Sequence, residues 1–261
     1  MMYADETVIY FTSSNLSELE LNLNLELVNL SRWLNLNKLI LNVKKTECMV
    51  FGMRQHLASQ NSDPIDLNIH GPPIKSTNAF KYLGVVLDST LSFNDHIEHL
   101  RKKLSKVLGV FSRARPVLTL EAANRVYAAM VLPILDYCDI VWHESGQGND
   151  KVVERLQRRA ARIVYYSIAA EVSTGEIITK LGREPLTKRR EAHVISLVSR
   201  KCIKNDVPSY FKNYFKLRNF YIHDYNTRSR TNLFLEKVNL KYTQESFFYK
   251  GARIFNNLNK S

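Results

Sequence analysis

Two adjacent acids, Asp5 and Glu6, sit in the stretch Tyr3-Ala4-Asp5-Glu6-Thr7, between residues that favour strands. A hairpin tip of this kind holds two carboxylates at a fixed, exposed point. Hard carboxylate oxygens are the ligands Mg2+ takes, leaving its other positions to water and phosphates. A two-metal phosphoryl-transfer site holds its ions about 3.5–4 Å apart, so a further carboxylate from elsewhere is expected. The plain alternative is turn chemistry, because Asp is a common hairpin-tip residue on its own account.

The second chemical signal is charge. The 261 residues carry 37 Lys+Arg and 25 Asp+Glu, a net charge of +12. Residues 1–93 hold 7 basic and 9 acidic residues, a net of −2, so residues 94–261 hold 30 and 16, a net of +14. Arg101, Lys102, Lys103, Lys106, Arg113 and Arg115 crowd one predicted helix; Lys151, Arg155, Arg158, Arg159 and Arg162 crowd another. Such excess points to a polyanion, either nucleic acid or an anionic membrane face; the alternative is a solvated basic surface. Tyr221, Tyr225, Arg228 and Arg230 either stack on single-stranded bases or pack in the ordinary way.

Other candidates carry less. His96 and His99 are three apart on a helix with no third ligand in view, and read as surface residues. Cys48, Cys138 and Cys202 lack C-x-x-C spacing, which excludes a zinc knuckle and a disulfide scaffold and leaves small buried residues. Trp33 and Trp142 read as core. Gly146-Gln147-Gly148 reads as a loop, without the strand–Gly–helix setting of a phosphate cradle.

The elements that must position these residues follow from patterning. With 45% hydrophobic and 24% charged residues the chain is globular, as one large domain or two modest ones. Its longest apolar stretch, Ala128 to Leu135, is broken by Pro133 and falls short of the roughly 20 residues of a membrane helix. The start lacks a basic n-region, so the expectation is a protein that is not secreted, in nucleus or cytoplasm, with no membrane partner.

Residues 2–13 read as two strands around the acidic turn. Leu16, Leu19, Leu23, Leu27, Leu30 and Leu34 form a helical stripe, read as core rather than a dimer zipper; Asn15 is its N-cap, with Glu18 three residues on. Leu19 to Leu27 also alternate, but length and the helix formers Leu and Glu favour the helix. Strands are expected at Leu39–Val43, Glu47–Phe51, Ile65–Ile69 and Phe80–Leu87, with a loop over 53–64. From Asn94 helices take over. Ile97, Leu100, Leu104, Leu108 and Phe111 make one apolar face, and Pro116 ends that helix. A second helix follows Thr119 and is interrupted by Pro133. After a loop at 146–149, a third has Val152, Leu156, Ala160 and Ile163 inward, and another runs from Pro185 to about Lys204.

Taken in order, these features resemble the later motifs of a LINE-type (non-LTR) retrotransposon reverse transcriptase. Tyr-Ala-Asp-Glu-Thr stands where that family has Tyr/Phe-Ala-Asp-Asp. Leu41-Asn42-Val43-Lys44-Lys45-Thr46 resembles the next palm motif, and Phe80-Lys81-Tyr82-Leu83-Gly84 the primer-grip hairpin. Leu132-Pro133, Tyr137, Val141-Trp142 and Leu156-Gln157-Arg158 look like the thumb. His223 to Ser229 and Ser246 to Ala252 look like segments near the end of such reading frames.

The resemblance implies an α+β fold: a partial palm of antiparallel hairpins plus helix over 1–93, a mostly helical thumb over 94–166, and a basic, aromatic post-thumb region over 167–261. It implies Mg2+-dependent, RNA-templated DNA synthesis, with Asp5 and Glu6 as metal ligands and Lys45 near the incoming triphosphate. Tyr3 would pack near the primer terminus, and Phe80, Lys81, Tyr82, Leu83 and Gly84 would hold the primer. Arg101, Lys102, Lys106, Arg155, Arg158, Arg159 and Arg162 would run beside the RNA template and DNA primer or their hybrid. Three departures shape the expectation. Glu6 is one methylene longer than the family's Asp. The fingers and first half of the palm are missing from this stretch, so the chain is expected to be inactive alone and to need an upstream polymerase fragment. Phe255-Asn256-Asn257-Leu258-Asn259 replaces the family's Trp-Asn-x-Leu-Pro. The alternatives are a non-catalytic RNA- or DNA-binding module, or a decayed transposon reading frame.

Overall fold

In the computed structural model the described residues are 2–3, 6–59, 65–69, 71–142, 147–166, 173–200, 214–218, 231–240, 243–244 and 246–258. They mix helix with small sheets and fall into two units, Met1–Asp95 and His96–Ser261.

The first unit opens on a two-residue ribbon, β1 (Met2–Tyr3) against β2 (Glu6–Thr7), antiparallel. The expected continuation of the strand ends there: Val8 to Phe11 lie outside any strand. Helix α1 (Leu16–Leu36) forms as the leucine spacing predicts. Asn15 caps it, its side chain accepting from the Ser17 N–H, while Glu18 accepts from the Ser13 hydroxyl. The helix ends at Asn37, and Lys38 takes the left-handed conformation (φ 57°) common just past a helix C-cap.

Leu16, Leu19, Leu23, Leu27 and Leu30 pack α1 onto Ile65, Leu67, Ile69 and Ile74. The segment 65–69 buries alternate residues as a strand would, yet apart from one bridge, Asn68 to Pro73, it is not one. The reason is its partner. Asn24 on α1 donates to the Asp66 carbonyl at 2.9 Å and accepts from the Asn68 N–H at 3.1 Å; Glu20 accepts from the Asp66 N–H at 3.3 Å. Helix side chains take the place of a neighbouring strand.

Leu39–Val43 is likewise not a strand; a 3-10 turn, Val43–Lys45, starts at its end. Only β3 (Glu47–Cys48) survives of the next expected strand, paired in parallel with β4 (Lys75–Ser76). The expected loop over 53–64 contains a short helix, α2 (Arg54–Ser59). Phe80–Leu87, read as one strand, is a hairpin of β5 (Ala79–Tyr82) and β6 (Val85–Asp88).

Helix α3 (Asn94–Ala114) leads into the second unit, with Ile97, Leu100, Leu104, Leu108 and Phe111 all buried, and a 3-10 turn at Arg115–Val117 carries Pro116. Thr119 caps α4 (Leu120–Val126), accepting from the Ala122 N–H. A π-helical turn, Tyr127–Val131, then joins α5 (Leu132–Asp136). The cause is Pro133, which has no N–H to give and whose ring would meet the carbonyl four residues back, so the chain widens. After Cys138 (φ 51°) come α6 (Asp139–Trp142), α7 (Gln147–Val164), α8 (Thr174–Lys180) and α9 (Leu186–Ser199).

Residues 147–149 are thus helical rather than looped. The buried face of α7 is Val153, Leu156, Gln157, Ala160, Ala161 and Val164, one position round from the expected Val152 and Ile163. The last helix, α10 (Phe247–Leu258), packs on α9 around Val194, Val198, Phe215, Leu233, Ala252 and Phe255. Gly251 lets the two helices close: a Cβ there would lie 3.0 Å from Val198. Asn256 brackets Leu233, accepting from its N–H at 2.7 Å and donating to its carbonyl at 2.9 Å.

Candidate nucleic-acid interface

The hairpin of β5 and β6 is the best-formed of the sequence-predicted sites. Tyr82 pairs with Val85, so Leu83 and Gly84 alone make the turn, and both have positive φ, 44° and 85°. That is a two-residue loop of the primed kind, whose twist matches the flanking strands. Gly84 meets the requirement freely, while Leu83 meets it at a steric cost. Lys81 is exposed; Phe80, Tyr82 and Leu83 are half-buried.

Asp88 closes the hairpin. Its carboxylate accepts from the Thr90 N–H (3.1 Å) and hydroxyl (2.7 Å), the Ser92 N–H (3.0 Å) and hydroxyl (3.3 Å), and the Phe93 N–H (2.6 Å). Leu91 and Phe93 in that loop also have positive φ. Burial pushes the Asp88 carboxyl up, but the hydrogen bonds from Ser92, Thr90 and Phe93 outweigh it and hold the group below its ordinary value.

The acidic turn is only half visible. Asp5 lies outside the described residues; Glu6, on β2, is exposed and opposite Tyr3 in the strand register. Lys45 is exposed at the end of its 3-10 turn. Among the described residues no side-chain hydrogen bond or ion pair joins Glu6 to Lys45, or either to the 80–84 hairpin. Glu6 offers one hard oxygen ligand of the kind Mg2+ takes, and Asp5, the other ligand expected from the sequence, lies outside the described residues.

The basic rows are well formed. Lys151, Arg155, Arg158, Arg159 and Arg162 follow one another at helical spacing on the exposed side of α7, a row of about 16 Å at 1.5 Å per residue. Arg101, Lys102, Lys103 and Lys106 are exposed on α3. Arg101 is held by Glu98 through two contacts of 2.6 and 2.7 Å, and Arg158 by Glu154 at 3.2 Å. The Arg101 hydrogen bond is the main cause keeping the Glu98 carboxyl below its usual range. Arg115, counted with the surface charges in the sequence, is instead a structural tie: Nε donates to the Val164 carbonyl at 2.8 Å and Nη1 to the Leu118 carbonyl at 2.7 Å.

Behind these helices lies a charged network that sequence spacing did not suggest. Asp136 pairs with Arg189, Asp139 with His193 at 2.7 Å, and Asp150 with Arg190 at 2.9 Å. Arg190, 4% exposed, lies over the ring of Trp142, 5.0 Å from its centroid. Trp142 donates to the Tyr137 carbonyl, and its ring sits 5.4 Å from that of His96. His96 is therefore buried, against the surface role expected for it, because the indole gives its ring a face to pack on. Burial is the main cause raising the Asp136 and Asp150 carboxyls, with Arg189 and Arg190 opposing it. Asp136, Asp139 and His193 are the one group of three potential metal ligands among the described residues. Arg189 pairs with the Asp136 carboxylate and the His193 ring hydrogen-bonds that of Asp139, so it is an ion-pair and hydrogen-bond network first. Helical periodicity hints at it only through polar residues falling at inward positions.

Other expectations divide. Trp142 is core, but Trp33 is exposed because it lies off the leucine face of α1. Cys138 is exposed and Cys48 half-buried, so burial does not describe Cys138; Cys202 lies outside the described residues. Phe215, Phe247 and Phe248 pack together, with Tyr214 stacked on Phe248 at 3.8 Å between centroids. Tyr221, Tyr225, Arg228, Arg230 and the segment 223–229 lie outside the described residues. No helix among the described residues is long and apolar enough to cross a membrane.

By sequence the chain is similar to the RNA-directed DNA polymerases of non-LTR retrotransposons. It is 27% identical over 166 residues to a probable RNA-directed DNA polymerase from transposon BS of Drosophila melanogaster, covering 62% of this chain and 18% of the relative. It is 26% identical over 138 residues to one from transposon X-element of the same species, covering 51% and 14%. It is also 27% identical over 101 residues to a retrovirus-related Pol polyprotein from the type-1 retrotransposable element R1 4 of Nasonia vitripennis, covering 36% and 25%. The similarity thus spans a quarter or less of each of these relatives. No family model matches the chain, and no solved structure does.

Proposed function

We propose that this chain is the later portion of an RNA-directed DNA polymerase of a non-LTR retrotransposon, and that its second unit grips the sugar-phosphate backbone of a template–primer hybrid. The observation that carries the reading is the exposed basic row Lys151–Arg155–Arg158–Arg159–Arg162 on α7, in a chain whose relatives are such polymerases. Lys and Arg rows release counterions from phosphates and bind without regard to base sequence. The hairpin of Phe80, Lys81, Tyr82, Leu83 and Gly84 would hold the primer strand, and Lys45 would lie near an incoming triphosphate. Asp5 and Glu6 would be ligands for Mg2+, which supplies charge neutralisation at transferring phosphates when bound. A two-metal site needs a carboxylate besides these two, and the reading is that these 261 residues bind the hybrid without extending a primer.

The test is titration of an RNA–DNA hybrid into the full chain across salt concentrations. The reading expects affinity to fall steeply with salt, with little preference for sequence, and Arg155→Gln with Arg159→Gln to lower the log–log slope by about 2. A flat salt dependence overturns it. Primer extension by the chain alone, abolished by Asp5→Ala, would overturn the claim that it binds without catalysing.

A further inference from the structure

Helix α1 is apolar on two opposite sides. One side, Leu16, Leu19, Leu23, Leu27 and Leu30, faces the core of the first unit. At about 3.6 residues per turn, Leu21, Leu25 and Val28 fall diametrically opposite. They are 62, 57 and 59% exposed, and Leu36, 78% exposed, extends the stripe. A surface helix ordinarily turns a polar face to water, and a contiguous apolar stripe in its place marks a surface that another layer covers.

We propose that the cover is a second copy of this chain, laid antiparallel across the same stripe and centred on Leu25. The stripe is complementary to itself in that sense alone. Seven residues before Leu25 stands Glu18, and seven after it stands Arg32, both exposed on α1. Antiparallel pairing sets Glu18 opposite Arg32 of the second copy, and Arg32 opposite its Glu18. Parallel pairing would set like charges together at both ends. In the antiparallel register Leu25 meets Leu25, and Leu21 lies beside Val28 of the second copy within about one residue's rise of 1.5 Å. The two-fold repeats every contact, as an isologous interface requires. Glu18 keeps its hydrogen bond from Ser13, which anchors the acidic end. One helical stripe makes a small interface, so the dimer is a weak one. The inference is independent of the proposed function, since it uses nothing from the basic unit.

Sedimentation equilibrium of the full chain, from micromolar to hundreds of micromolar, tests it. A concentration-dependent rise to twice the chain mass is expected. Leu25→Glu sets two carboxylates against each other at the centre and should leave a monomer with unchanged helical circular dichroism. Arg32→Glu faces Glu18 of the second copy and should weaken dimerisation about tenfold; Glu18→Arg combined with Arg32→Glu should restore it. If Leu25→Glu fails to fold, the charge-swap pair decides alone. A wild-type monomer throughout, a dimer that survives Leu25→Glu, or a charge swap without recovery each overturns the proposal.

Discussion

Nδ1 of His193 lies 2.7 Å from the carboxylate of Asp139, a residue only 2% exposed. The pair ties α9 to α6 at the foot of the network that includes Asp136 and Arg189. Removing the imidazole strands a buried carboxylate, whereas removing the charge on the carboxylate leaves a ring that reaches solvent. His193→Ala is therefore expected to cost about 3 kcal/mol of stability, and Asp139→Asn, which still accepts from Nδ1, about 1 kcal/mol. Urea unfolding followed by Trp fluorescence measures both, and equal losses would contradict the assignment.

The same reasoning applies to Arg190 and Asp150, with the roles reversed. Arg190 is the buried partner, and Asp150 is the half-exposed one. Asp150→Ala should cost about 3 kcal/mol by leaving the guanidinium over Trp142 without its counter-ion. Arg190→Met, which keeps an apolar stem against the indole, should cost less than half of that. Chemical denaturation of the two variants side by side gives the ordering.

Asp88 makes the stability of the first unit depend on acid. Its carboxyl titrates below its ordinary value of 3.8 when folded. The folded state thus binds the proton less readily than the unfolded one. The stabilisation is complete above the ordinary value and is lost as pH falls through the folded value. Asp88→Ala should cost about 2–3 kcal/mol at neutral pH and less in acid, where the wild type has already lost the difference. Thermal unfolding monitored by circular dichroism at neutral and acidic pH tests this.

The turn between β5 and β6 predicts a gain rather than a loss. Leu83 holds φ 44° and Gly84 φ 85°. Leu83→Asn puts a residue that tolerates this conformation into the first turn position and should stabilise by about 0.5–1 kcal/mol. Gly84→Ala should destabilise by about 1 kcal/mol. The shift in unfolding midpoint of each variant reads the sign directly.

Much of the helical part was legible because its signals are local. The leucine spacing and Asn15 mark α1, the face Ile97 to Phe111 marks α3, and Thr119 marks the start of α4. The strands of the first unit were less so. Ile65, Leu67 and Ile69 alternate as a strand does, but the backbone of Asp66 and Asn68 between them is satisfied by Asn24, 42 residues away from Asp66, and no local pattern announces that. Patterning hides the turn at Leu83-Gly84 inside an apolar run, because Leu is a poor residue for positive φ, and only the resemblance at Phe80–Gly84 points to a hairpin.

The candidate site divides in the same way. Exposed rows of Arg and Lys can be read from spacing on a helix whose inward face is known. The Asp136, Asp139, Asp150, His193, Arg189 and Arg190 network cannot, since its partners lie 53, 54 and 40 residues apart and meet only where α9 comes beside α5, α6 and α7. Arg115 looked like one more surface charge for the same reason: its partner carbonyl, Val164, is 49 residues away.

That tie has a mechanical meaning. Arg115 follows directly on α3, and Val164 ends α7, so one planar guanidinium joins the ends of the two helices that carry the basic rows. The spacing of those two helix ends is therefore held by a side chain that is itself basic: one positive charge serves the scaffold on which the others are displayed.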